Sequence, residues 1–387
     1  MSGLRLPRAD GSLAAYELVG EPLVIDSARA RASNRVAYAA AHVVADPLAD
    51  NTPGRPAVLD WDATLAFRHH LWRQGLGVAD AMDTAQRGAG LDWAATTELI
   101  RRSAAEAATV GGALVCGAGT DQLPPGPHDL ATIRRAYTEQ LAVVTDAGAT
   151  PVIMCSRALA AAARGPDDYA AVYGALLDQV QEPVLLHWLG PAFDPALEGY
   201  WGSADLDLAT KGLLAIIGEH ADRVDGVKIS LLDADREIGL RRALPAGVRC
   251  YTGDDFHYPE LIAGDELGHS DALLGVFDAI APAAAAALEA LDAGDRDGYA
   301  RLFAPTVPLA RWIFDAPTFH YKTGIVFLAW LAGHQSHFTM VGGMQSARSL
   351  PHLGELFVLA DRAGLLPDPE VAADRMQLLL RVAGVEQ

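Results

Sequence analysis

Between Arg35 and about residue 295 the chain repeats one pattern eight times, a short strand-like run followed by a longer helix-like run. That alternation marks a parallel sheet whose strands are joined by crossover helices. The strand-like runs are Arg35–Val44, Gly77–Asp83, Gly112–Gly117, Thr150–Cys155, Pro183–Leu189, Asp225–Ser230, Val248–Thr252 and Ser270–Gly275. Helical runs fill the intervals: Ala63–Arg73, Ala94–Thr109, Asp129–Asp146, Asp167–Val180, Ala204–Ala221, Ala234–Arg242, Tyr258–Ala263 and Phe277–Ala293. Eight such units are what a closed (β/α)8 TIM barrel requires. An open doubly wound sheet would carry a G-x-G-x-x-G turn after its first strand, and none follows here. Asp62 and Asp233 are expected helix N-caps, because short acidic side chains accept free amide hydrogens.

Three regions follow: an irregular lead-in (1–34), the α/β barrel (35–295) and a C-terminal helical extension (296–387). Periodic apolar positions in Tyr321–Ala332 and Leu353–Ala363 predict two or three helices packed beside the barrel. The formal charge of −19 excludes a nucleic-acid partner, which demands a basic footprint. It also repels anionic substrates at long range, so any carboxylate or phosphate must be captured by local groups. Cys116, Cys155 and Cys250 are odd in number and widely spaced, which fits neither a disulfide framework nor a zinc site. No leader pattern opens Met1–Pro22 and no apolar run spans a bilayer, so a cytoplasmic protein without a membrane partner is expected.

In barrels of this kind chemistry sits at the C-terminal ends of the strands. Those positions carry His42, Asp83, Thr84, Asp121, Arg157, His187, Asp254, Asp255 and His257, with His269 and Asp271 flanking the start of strand eight. Lysine occurs only at Lys211, Lys228 and Lys322, so lysine chemistry has three candidates. In Asp225-Gly-Val-Lys-Ile-Ser230, alternation sends Val227 and Ile229 to one face and Gly226, Lys228 and Ser230 to the other. With the apolar pair against the helices, Lys228 enters the lumen between two small residues. Poor solvation there favours the neutral amine, which can attack a carbonyl and form an imine. The competing reading is a lysine paired with a rim aspartate. Lys211 and Lys322 read as solvated or structural.

The order of these segments resembles the dihydrodipicolinate synthase and N-acetylneuraminate lyase family of class I aldolases, from about Arg35 to about Leu365. Gly226-Val-Lys-Ile, with Asp233 five residues after the lysine, is similar to that family's Schiff-base motif, and Tyr251-Thr-Gly-Asp-Asp255 to its strand-seven signature. Asp83-Thr-Ala-Gln-Arg-Gly-Ala-Gly-Leu91 stands where the family has its substrate loop. Asp60-Trp-Asp-Ala-Thr64 and Ala81-Met-Asp-Thr-Ala-Gln-Arg-Gly88 resemble a little-characterised branch of it. The resemblance implies a lyase or aldolase working through a covalent imine at Lys228, without a cofactor, and a homo-oligomer (dimer or tetramer) with the apolar C-terminal helices as a reasonable interface.

The chain also departs from the family. His187-Trp-Leu-Gly-Pro191 replaces the strand-five Tyr-Asn-Val-Pro, so His187 stands where the proton-relaying tyrosine would be. Imidazole suits that role at neutral pH. The threonine pair is reduced to Thr84-Ala85, and Ala192-Phe193-Asp194 replaces the family's arginine after strand five. Arg87 or Arg157 is left to bind a carboxylate.

The expected substrate is a polyhydroxylated keto acid or keto sugar. Lys228 and His187 are the catalytic candidates, and Asp83, Thr84, Arg87, Asp254, Asp255, His257 and His42 the substrate-binding ones. One alternative places a divalent metal on Asp83, His187 and His257, with His42 a further donor, polarising a keto sugar. Another is a non-catalytic ligand-binding barrel. His69, His70, His334 and His337 read as structural.

Overall fold

A computed structural model describes residues 4–23 and 34–385. A hairpin of β1 (Leu4–Pro7) and β2 (Leu13–Tyr16) precedes eight parallel strands: β3 (Ala37–Ala40), β4 (Gly77–Asp80), β5 (Leu114–Ala118), β6 (Thr150–Ile153), β7 (Val184–Leu189), β8 (Val224–Ser230), β9 (Arg249–Thr252) and β10 (Asp271–Leu274). The barrel closes where β10 pairs with β3, Ala272 beside Ala37. The helices are α1 (Trp61–Arg73), α2 (Trp93–Val110), α3 (Leu130–Asp146), α4 (Arg157–Ala162), α5 (Pro166–Leu177), α6 (Leu206–Glu219), α7 (Ala234–Ala243), α8 (Tyr258–Ala263) and α9 (Val276–Asp292), then α10 (Arg296–Phe303), α11 (Thr306–Ile313), α12 (Tyr321–Leu331), α13 (Leu350–Arg362) and α14 (Pro369–Val382).

All eight expected strands form, several of them shorter than expected because side chains capture the backbone at their ends. Past β3, the His42 N–H donates to Asp278 Oδ2 at 2.7 Å and the Val44 N–H to Thr64 Oγ1 at 3.0 Å. Past β4, Ala81 takes a positive φ of 53° and its N–H donates to Asp80 Oδ1 at 2.9 Å.

Other expectations need correction. The lead-in is not wholly irregular: its hairpin packs on α13, and Asp361 of that helix accepts from Tyr16 Oη at 2.7 Å and from the Val19 N–H at 2.9 Å. The segment 24–33 of the lead-in lies outside the described residues. Asp60 rather than Asp62 caps α1, accepting from the Ala63 N–H at 3.0 Å, whereas Asp233 caps α7 as expected. Among its described residues the extension has five α-helices, α10–α14, where two or three were expected. Its most apolar helix, α12, is buried along all 11 residues against α9, α13 and α14, so it presents no free face for an interface.

Register puts Ala40, Ala79, Val115, Val152, Leu185, Tyr251 and Leu273 on one face of the strands, where they pack together as the barrel interior. The opposite faces pack on the helices. Each fully buried aliphatic or aromatic side chain contributes about 1.5–3 kcal/mol. Among the described residues no helix is long and apolar enough to cross a membrane.

Candidate active site

The loop after β4 is anchored from below. Arg68 of α1 and Asp80 at the end of β4 are fully buried and bind in a two-pronged pair, at 3.0 and 2.8 Å. Ser103 of α2 adds a bond to Asp80, so two helices and the strand end hold the base from which Asp83 and Thr84 project. Thr84 Oγ1 lies 2.7 Å from Tyr321 Oη, and the Tyr321 ring stacks on Phe314 at 4.5 Å.

Lys228 enters the interior as the alternation predicts. It borders a chamber of about 10 Å³ with Asp83, Thr84, Ser230, Asp255 and Tyr321. Gly253, just past the end of β9, makes room for it: a Cβ there would lie 2.7 Å from Lys228 Cε and would overlap Ser230 Oγ. Burial lowers the Lys228 ammonium below the ordinary lysine range, against the opposing pull of Asp255 and Asp83. Burial likewise pushes the Asp255 carboxyl up to about 7, although it accepts the Val276 N–H at 2.8 Å.

His187 is the register partner of Lys228 on the neighbouring strand. Its Nε2 lies 3.1 Å from Ser230 Oγ, and its buried Nδ1 has no hydrogen-bond partner among the described residues. Burial, then the charge of Lys228, holds it well below the usual histidine range, so the ring is a neutral imidazole. Beside it opens a cleft of about 470 Å³, walled by Asp83, Arg87, Thr120, Ser156, Arg157 and His187 among others. Asp83 and Leu189 border both cleft and chamber, so the two spaces adjoin.

A protein family described as "Protein of unknown function (DUF993)" matches residues 4–385. The chain belongs to DUF993. No curated protein sequence matches it. In structure it is similar to YagE of E. coli K12, a prophage protein of the dihydrodipicolinic acid synthase family solved in complex with pyruvate (TM-score 0.67, 15% identity, 86% of this chain and 99% of that one). It is also similar to a putative dihydrodipicolinate synthetase from Pseudomonas aeruginosa (TM-score 0.65, 17% identity, 86% and 100%). A third likeness is dihydrodipicolinate synthase from Aquifex aeolicus (TM-score 0.62, 12% identity, 91% and 98%). The fold of this DUF993 chain is therefore that of the dihydrodipicolinate synthase structures, a TIM barrel with a helical C-terminal extension.

Several expected site residues stand elsewhere. His42 is wholly buried: Nδ1 meets Asp278 Oδ2 at 2.8 Å, Nε2 meets Gln335 Oε1 at 3.2 Å, and the ring packs on Phe67. Both of its nitrogens are spent on the scaffold. Asp254 closes its own loop, accepting from the Phe256 and His257 N–H groups and from His257 Nδ1 at 2.9 Å, and neither side chain borders the cleft or the chamber. Arg87 borders the cleft, but its guanidinium is committed to Asp121, Gln140 and the Gly117 carbonyl. His269 and Asp271 lie at the N-terminal end of the barrel, where Asp271 binds the Val36 N–H and Arg249. Among the described residues no three His, Cys, Asp or Glu side chains converge as metal ligands, and the Asp83, His187 and His257 set is not brought together. Tyr321 of the extension, which borders the chamber, was missed; Lys322, read as solvated or structural, is buried beside it. The available signal was a lysine in the first turn of an otherwise apolar helix.

Proposed function

We propose that this DUF993 protein is a class I lyase or aldolase that forms an imine between Lys228 and the ketone of a small keto acid. The observation that carries the proposal is a lysine buried in the barrel interior, in a chamber next to the cleft, beside three hydroxyl groups and two carboxyl groups. Burial disfavours the charged form of the amine and so favours the neutral, nucleophilic one. The pyruvate held by YagE, whose fold this chain shares, favours a 2-oxo acid over a neutral keto sugar.

The neutral Lys228 amine attacks the ketone carbon, and the C–N bond forms as the carbonyl oxygen takes a proton. Loss of that oxygen as water leaves the iminium. The paired Thr84 and Tyr321 hydroxyls border this chamber and serve the proton transfers at that oxygen. When the substrate bears a hydroxyl one carbon beyond the iminium's α-carbon, removal of its proton releases an aldehyde. The electrons of the broken C–C bond pass to the iminium nitrogen, giving the enamine. His187, neutral and facing the cleft, accepts that proton, and Ser230 connects it with the chamber. Protonation of the enamine and hydrolysis free Lys228; the reverse sequence is an aldol addition.

The enamine gives the test. In heavy water, wild-type protein should exchange the methyl protons of pyruvate, followed by proton NMR, and Lys228→Met should not. Exchange that survives Lys228→Met would overturn the proposal.

A further inference from the structure

Lys322 is placed where a lysine is costly. It is 4% exposed in a helix with no exposed residue. It stands in the first turn, the end at which the helix dipole disfavours a cation, and that turn holds no acidic residue. Its ammonium lies over the rings of Phe319 (5.4 Å) and Tyr321 (5.9 Å), contacts that only partly replace lost water. Among the described residues no carboxylate forms an ion pair with it and no acceptor a hydrogen bond. Buried lysines are ordinarily paired.

The surrounding charges say what is missing. Asp83 and Arg157, which border the cleft, are the charges acting on Lys322; Lys322 itself lies behind the lining, next in the helix to Tyr321, which borders the chamber. Burial lowers it to about 8, so most of it is cationic at neutral pH. Arg157 is balanced by Asp194 and Arg87 by Asp121. That leaves Asp83 as the carboxylate set against Lys322, and Asp83 acts on Lys228 as well.

We propose that Lys322 anchors an oxyanion of the ligand, a carboxylate or a phosphate, at the end of the cleft bordered by Asp83 and Arg157. That this ligand is the substrate rests on the lyase reading; the anchor itself does not. It fills the need left by Arg87, whose donors are already taken. It also gives the C-terminal extension a part in the site, Tyr321 facing the ketone and Lys322 the anion.

The test is calorimetric binding of glycolate and of inorganic phosphate, neither of which can form an imine, with neutral glycolamide as control. Wild type and Lys228→Met should bind at least one anion and not glycolamide, the preferred anion telling carboxylate from phosphate. Lys322→Met and Lys322→Gln should each lose about tenfold or more in affinity, the scale of one charged contact. The inference is overturned if neither anion binds wild type, if glycolamide binds equally, or if both Lys322 variants, folded by circular dichroism, bind as wild type does. Unimpaired anion binding by the Lys322 variants alongside an imine at Lys228 would sink the anchor and leave the lyase reading. Anion binding lost with Lys322, but no imine at Lys228 from any ketone, would do the reverse.

Discussion

His187 and Lys228 are register partners on β7 and β8, and both side chains enter the barrel interior. Burial and the charge of Lys228 keep the imidazole in its neutral form, the one that can accept a proton. His187→Asn should lower kcat by about two to four orders of magnitude. Imine formation at Lys228 should persist in it. Loss of the imine as well would make His187 a residue that positions Lys228.

Gly253 is the second control on Lys228. A methyl group there meets Lys228 Cε and Ser230 Oγ well inside contact distance. Gly253→Ala should cost about 1–3 kcal/mol in urea unfolding and should slow imine formation, since Lys228 must move to admit the methyl. Unchanged stability and unchanged trapping would show that the strand yields freely.

Asp254 and His257 form a loop lock apart from the cleft. His257→Ala should leave kcat/KM within about threefold of wild type, because exposed or partly exposed pairs contribute little. With no converging ligand set among the described residues, a chelator should leave turnover unchanged as well. A chelator-sensitive enzyme, restored by added divalent metal, would contradict this.

Glu237 supplies a pH signature independent of catalysis. Buried, with Ser270 donating to its Oε1 at 2.6 Å, its carboxyl is pushed from 4.5 up to about 8. The folded state therefore holds a proton that the unfolded state releases between those values. Stability is full below the unfolded value and falls as pH rises towards the folded one. Urea titrations from about pH 5 to about pH 9 should show that decline, and Glu237→Gln should reduce it. Asp255, raised to about 7, contributes a slope of the same sign that ends at lower pH and that Glu237→Gln leaves in place. An unaltered slope in the variant would place the titration elsewhere.

What could be read from the sequence was local. The eight strands show as short apolar runs between turn signals, and Lys228 shows because alternation and two small neighbours fix its direction. His42 and Arg87 could not be resolved in this way. Their roles are set by Asp278, Gln335, Asp121 and Gln140, partners that only the folded chain brings within reach. Tyr321 lies 237 positions after Thr84, and no local periodicity announces that bond. The hairpin of β1 and β2 was missed because strands this short draw their stability from α13 rather than from their own composition.

The central claim is the imine at Lys228, and borohydride trapping with peptide mass mapping tests it most directly. The chain has three lysines, Lys211, Lys228 and Lys322, so the site of any side-chain adduct is quickly assigned. With pyruvate, longer 2-oxo acids and keto sugars offered in turn, the account predicts a reduced adduct on the peptide carrying Lys228, absent in Lys228→Met. An adduct confined to Lys322, or none from any carbonyl compound, would contradict it.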